Sequence, residues 1–329
     1  MAHLVNDELD QLIRRADLDE LVRHVDATCS ARDWDHLVDI RDQARSAVST
    51  GRQLWPIATL ANYRLALWAP AEQAVRALDD TARTFMPGPV SEILAVYHRW
   101  EDVEDHLADG HDRSLVAHER ALRGDTIEQH ESSALDLPFE IQPWEPHYEL
   151  ASYNDDGVDF PAPELPTPRE SITTAPASAI DDPDTTTAFR RLVEAWTSQS
   201  NGSASIAVVE GGVEEALGAL GVTRAHIATV SPQEALSLLA WAGASGGAHG
   251  KRRGTATGRS DAWWFLATFT GLADDWPCDA DELGDVIESL QYFVFETNDS
   301  RNSGWNLALV ICDPEEGLSV ALQANDYAE

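Results

Sequence analysis

The chain has 329 residues, of which 43% are hydrophobic, so two domains are expected and one long α-solenoid is the alternative. Its 57 Asp and Glu outnumber 23 Lys and Arg, and the resulting net charge of -34 repels nucleic acid and anionic lipid, which argues against both as partners. The start MAHLVNDELDQLIRR lacks a signal-peptide pattern and no stretch approaches the about 18 apolar residues of a membrane span, so a soluble cytoplasmic protein is expected.

The first 128 residues read as successive amphipathic helices. Leu9, Leu12, Ile13 and Ala16 form one stripe; Leu18, Leu21, Val22, Val25 and Cys29 repeat it, with Asp17 and Glu20 spaced as a capping box between them. Helices follow at about 34–50, 53–68 and 71–80, the last opened by Pro70 in its first turn. Ile93, Val96, Tyr97, Trp100, Val103 and Leu107 then continue as one unbroken helical stripe. About seven helices with short connections predict an all-α domain over 1–128, either HEAT-like or an irregular bundle.

Charge and proline mark the next boundary. Residues 129–185 carry 1 basic and 13 acidic side chains and nine of the 16 prolines, the composition of an acidic, Pro-rich linker. Within it Phe139, Ile141, Trp144, Tyr148, Leu150 and Tyr153 predict a docked stretch at 138–153, and 154–183 reads as its flexible part.

From 186 helical and strand patterns alternate. Asp184 is placed to cap a helix through Trp196, SIAVVE at 205–210 reads as a buried strand, 212–220 as a helix closed by Gly221, and AHIATV at 225–230 as a second strand. That order predicts a βαβ unit with a parallel pair. Ser231, Pro232 and Glu234 sit at N-cap, N1 and N3 of a helix running to about 242, and after a Gly-rich loop another helix is expected from about Ser260. Asp279 and Glu282 cap a helix facing inward through Leu283, Val286, Ile287 and Leu290; YFVFE, WNLALVIC and LSVALQ close the chain as strands, the last two joined by DPEEG as a hairpin. The expectation is α+β overall, with a C-terminal α/β domain over 186–329 built on a mixed sheet of about five strands.

One segment is chemically unlike its surroundings. GASGGAHGKRRGTATGR at 243–259 holds six glycines, the chain's single lysine and three arginines. Glycine lets backbone N–H groups approach a ligand, and a helix N-terminus favours an anion, so His249, Gly250, Lys251, Arg252, Arg253 and Arg259 form a candidate site for a phosphate or carboxylate. It is not a P-loop: Ser245 stands where the first glycine belongs, Arg252 follows Lys251, and a helix rather than a strand precedes. The competing reading is that these cations pair with carboxylates of the linker or of helix caps within the chain.

Other chemistry finds less support. His98, Asp102 and His106 recur at helical spacing, yet the apolar stripe places His98, Asp102 and Asp105 on the solvated side, so no metal site is expected. Cys29, Cys278 and Cys312 are far apart and make no CxxC, which reads as three reduced thiols. HExxH, GxSxG and a dinucleotide-type GxGxxG are absent from the sequence, no catalytic residue or cofactor is assigned, and the reading leans away from an enzyme. Of the 11 tryptophans most fall on apolar helix faces, while Trp144, Trp241 and one of Trp263 and Trp264 are placed for an interface or ligand wall.

The segments WEPHYELASYNDDG, SPQEALSLLAWAGASGGAHGKRRGTATGRSDAWW and GWNLALVICDPEEGLSVAL resemble an actinobacterial protein family of unknown function over residues 138–329. The resemblance implies an actinobacterial, cytoplasmic source and no activity. The leading expectation is a non-enzymatic binding or scaffold protein whose helical half meets a protein partner. An anionic small-molecule site, binding or catalytic, on the basic loop is the alternative. A third reading makes the acidity itself functional, as in a nucleic-acid mimic. The similar net charges of the three segments, -10, -12 and -12, speak against it.

Overall fold

A computed structural model describes residues 2–79, 85–128, 133–297 and 304–328, with side chains from Leu9 onward. The chain forms two compact units: Met1–His130 with Ser152–Val158, and Glu131–Ala151 with Asp159–Glu329. The acidic segment 129–185 is therefore shared between them rather than standing apart. Among the described residues no helix is long and apolar enough to cross a membrane.

The first unit is built from α1 (Ala2–Arg15), α2 (Leu18–Ala31), α3 (Trp34–Ser49), α4 (Trp55–Trp68), α5 (Ala71–Ala74), α6 (Val90–Tyr97), α7 (Trp100–Val103) and α8 (His111–Leu122). Asp17 and Asp33 cap α2 and α3 by accepting the Glu20 and His36 backbone N–H groups at 3.1 and 3.2 Å. Leu21, Val25, Leu37, Ile40, Ile57, Leu65, Ile93 and Val116 are fully buried; Leu9, Leu12, Ile13, Leu21, Val25 and Cys29 of the two expected stripes face inward, whereas Ala16, Leu18 and Val22 are exposed.

The long stripe from Ile93 to Leu107 is not one helix. His98 adopts an extended backbone (ψ 137°) and α7 begins afresh at Trp100. The new start is capped from a distance: Asp125 accepts the Trp100 N–H at 2.7 Å and is gripped by Arg120 through two bonds of 2.8 Å. That guanidinium holds the Asp125 carboxyl below its ordinary range. With the helix broken, Tyr97 turns outward while Glu92, Leu94 and Ala95 are buried instead.

The second unit is α+β. Its elements are β3 (Glu170–Thr173), α9 (Pro183–Leu192), α10 (Glu194–Ser198), β4 (Ser203–Glu210), α11 (Val213–Ala219), β5 (Arg224–Val230), α12 (Pro232–Ala244), α13 (Thr255–Phe269), α14 (Ala280–Ser289), β6 (Gln291–Glu296), β7 (Gly304–Asp313) and β8 (Leu318–Tyr327). Two further strands, β1 (Ser152–Asn154) and β2 (Gly157–Asp159), precede them as a separate two-stranded pair.

The six-stranded sheet runs β3-β5-β6-β7-β8-β4, and every neighbouring pair is antiparallel. This corrects the expected mixed sheet of about five strands with a parallel βαβ pair. Strands β4 and β5 do point the same way, as a crossover through α11 requires, but β6, β7 and β8 lie between them. The strand not foreseen is β3, an edge strand inside the stretch read as flexible linker.

Both faces of the sheet are covered, which explains why β7 and β8 are almost continuously apolar. Leu307, Leu309 and Ile311 join the core formed with α9, α12, α13 and α14, while Ala308, Val310 and Cys312 face a smaller cluster with Ala216 and Leu217 of α11. Helix α12 has the capping box expected of it, with Ser231 and Glu234 bonded reciprocally at 3.2 and 2.7 Å.

Candidate functional site

The basic loop is shorter than its composition suggested. Helix α12 continues to Ala244 and α13 starts at Thr255, not near Ser260, so the loop proper is 245–254 and Arg259 belongs to the helix. Gly258 makes this possible. A Cβ there would stand 2.1 Å from the Ala240 carbonyl oxygen, so α12 and α13 approach backbone to backbone at this glycine.

One of the loop's N–H groups meets a carboxylate, and it is the chain's own. Asp326 at the end of β8 is fully buried; its Oδ2 accepts the Ala248 N–H at 2.6 Å and its Oδ1 the Tyr327 N–H at 3.0 Å. Gly247, at φ +64°, lies so near that a Cβ would come within 2.2 Å of Asp326 Oδ2. The His249 N–H goes to Ser200 Oγ at 3.1 Å, the Lys251 N–H to Gln199 Oε1 at 3.1 Å and the Arg253 N–H to the Ala244 carbonyl at 2.8 Å.

The cations divide in the same way. Arg259, 1% exposed, is clasped by Glu145 through Nε–Oε2 at 2.7 Å and Nη2–Oε1 at 2.6 Å, and it also donates to the carbonyls of Pro138 and Glu140. Burial alone would lower the guanidinium's pKa; the Glu145 carboxylate and, to a smaller extent, Tyr148 together raise it. Glu145 further accepts from Trp263 Nε1 at 3.0 Å and Tyr148 Oη at 2.5 Å. Burial, together with that carboxylate, pushes the Tyr148 phenol well up.

Arg253 stands 2.5 Å from Asp261 Oδ2 as an ion pair, and Arg191 donates to Asp261 Oδ1 at 2.9 Å. Burial raises the Asp261 pKa, and both arginines pull against it. Arg252 packs its guanidinium 3.5 Å above the Phe160 ring centroid and donates to Thr255 Oγ1. Of the six candidate residues only His249 and Lys251 are exposed; Gly250, Arg252 and Arg253 are half-buried.

Of the tryptophans singled out as interface or ligand walls, Trp144 and Trp241 are buried in the core of the second unit, whereas Trp264 is half-buried. Trp144 packs 4.7 Å from Trp263 and donates to the Ala280 carbonyl, Trp241 meets Trp196 edge-on, and Trp264 meets Trp276. Among the described residues no three of His, Cys, Asp and Glu come together in a way that could hold a metal ion, the His98, Asp102 and His106 series included.

The internal partners Glu145, Asp261, Asp326 and Arg191 were not singled out in the sequence. Asp261 alone had a local signal, lying eight residues after Arg253; Glu145 reaches Arg259, and Asp326 the loop, from distant parts of the chain.

Residues 19–328 match DUF6183, a family of unknown function. The chain belongs to this family. The match includes most of the N-terminal helices as well as the segments after 138, so membership of the family extends over both units. No curated protein and no solved structure matches the chain.

Proposed function

We propose that this member of DUF6183 is a non-enzymatic binding or scaffold protein of the cytoplasm, and that its helical unit carries the surface for a protein partner. The distribution of exposed apolar side chains supports this reading. Of the nine large hydrophobic side chains exposed among the described residues, all but Ile180 belong to the first unit. Trp55 and Phe85 pack there with ring centroids 4.4 Å apart and planes tilted by 41°, and Phe85 is 70% exposed. Paired aromatics left in water are what an interface hot spot requires, and truncating one commonly costs about 2 kcal/mol or more of binding.

The test compares proteins retained by the immobilised wild type and by a Trp55→Asp/Phe85→Asp variant, with the melting temperature of each recorded. A partner held by wild type and lost from an equally stable variant is the expected result. Identical retention by both would remove the proposal.

A second reading keeps the anion site, carried by the exposure of His249 and Lys251 beside the N-terminus of α13. Inorganic phosphate or a nucleotide at about 100 times its dissociation constant should then raise the melting temperature by a few degrees, and Lys251→Ala should abolish the rise. No rise with either ligand sinks this reading.

A further inference from the structure

The second unit surrenders seven residues to the first. The chain leaves it after Ala151, contributes Ser152–Val158 to the helical unit, and returns at Asp159. A two-stranded hairpin of this size has little stability of its own, so the helices must hold it.

They hold it as a receptor holds a peptide. Tyr153 is the anchor: it is 1% exposed, and its hydroxyl donates to Oε2 of the fully buried Glu92 at 2.5 Å. Gly88, just before α6, makes room for it, since a Cβ there would lie 1.9 Å from the phenol oxygen. Two tyrosine hydroxyls read the hairpin backbone: Tyr97 donates to the Tyr153 carbonyl, and Tyr63 to those of Asn154 and Gly157 at 2.7 and 3.2 Å. Burial pushes the Tyr63 phenol up to about 12, which keeps it a donor throughout the physiological range. Arg64 pairs with Asp155, and its guanidinium also lies 4.7 Å from the Trp68 ring centroid.

The bound segment has its own local order. Asn154 Oδ1 accepts the N–H groups of Asp156 and Gly157 at 2.8 and 3.1 Å, and Gly157 sits at φ +133°, so Asn and Gly close the turn. Trp68, Tyr97 and Val158 remain exposed.

We propose that the groove between α4 and α6 is a peptide-recognition site occupied in cis by residues 152–158, and that its partner in trans is a protein presenting the same tyrosine-led acidic turn, Tyr-Asn-Asp-x-Gly. The inference rests on the reading of the helical unit as a binding module and assigns it a site distinct from Trp55 and Phe85. A tethered segment competes at an effective concentration of about millimolar, so the site opens to another chain only when the cis contact is weakened or the rival turn is abundant.

The experiment uses the full chain and a fluorescein-labelled peptide with the sequence of residues 151–159, read by anisotropy. The Tyr153→Ala chain should bind it at least about tenfold more tightly than wild type, because its pocket is vacated. The same peptide with alanine at the tyrosine position should not bind. Asp155→Arg, which sets two cations together at an exposed position and leaves the anchor in place, should also bind more tightly than wild type. That variant carries the test if Tyr153→Ala does not fold. No binding to either folded variant, or equal binding to wild type and variants, overturns the proposal. Either result leaves the Trp55/Phe85 retention experiment untouched, so the two readings fail separately.

Discussion

Replacing Arg259 with alanine is expected to destabilise the chain by about 3–5 kcal/mol, the cost of leaving a buried charge without its partner. The two side chains are 1% and 0% exposed, so solvent screens neither, and Glu145 would lose both of its short contacts to the guanidinium. The comparison that isolates the charge is the pair Arg259→Met and Glu145→Gln. Glutamine keeps an acceptor for Trp263 and Tyr148 while removing the carboxylate, so the double variant should be more stable than the sum of the two single losses predicts, by on the order of 1–3 kcal/mol. Urea unfolding read by tryptophan fluorescence measures wild type and all four variants, because Trp263 donates to Glu145 and lies 5.3 Å from the Arg259 guanidinium. A loss below about 1 kcal/mol for Arg259→Ala would show the pair to be as weak as an exposed one.

Gly258→Ala should also destabilise, although it replaces glycine inside a helix. Elsewhere in a helix that change gains up to about 1 kcal/mol. Here the added methyl meets the Ala240 carbonyl oxygen at 2.1 Å and the Ala244 nitrogen at 2.7 Å, both backbone atoms of α12 that cannot turn aside. Forcing the two helices apart costs about 1–3 kcal/mol and should outweigh the gain in propensity. Gly271→Ala at the end of α13, with open space around it, is the spatial control, although its φ of +76° carries a strain of its own. A Gly258→Ala protein that unfolds at a higher urea concentration than wild type would refute the close approach.

Features that depend on adjacent residues were legible before the structure. The Ser231/Glu234 capping box, the Asp17 cap of α2 and the hairpin between β7 and β8 are all set by side chains within a turn or two of one another. What was misread depends on distant partners. Strand direction followed from the crossover through α11, but neighbours in the sheet are chosen by β6, β7 and β8, which come later in the chain. The stripe from Ile93 to Leu107 has helical spacing throughout, and it breaks because Asp125, 25 residues after Trp100, provides a second cap. The basic loop stood out by composition, whereas its counter-charges did not, since Glu145 is one of 57 acidic residues and lies 114 positions before Arg259. Its glycines were read as admitting a ligand close to the backbone. The group approaching Gly247 is an internal carboxylate.

The separation of Glu145 from Arg259 also sets an order of events during synthesis. A ribosome adding about 5–20 residues per second needs roughly 6–23 s to travel between them. Through that interval the nascent chain carries a carboxylate destined for the interior with Tyr148 but no guanidinium to meet it, and Trp263, another of its donors, emerges later still. The helical unit, by contrast, has all its residues once Val158 is made, before the first residue of the six-stranded sheet exists. The amino-terminal unit can therefore mature on the ribosome, while the carboxyl-terminal one waits for the last strand, β8, to be translated.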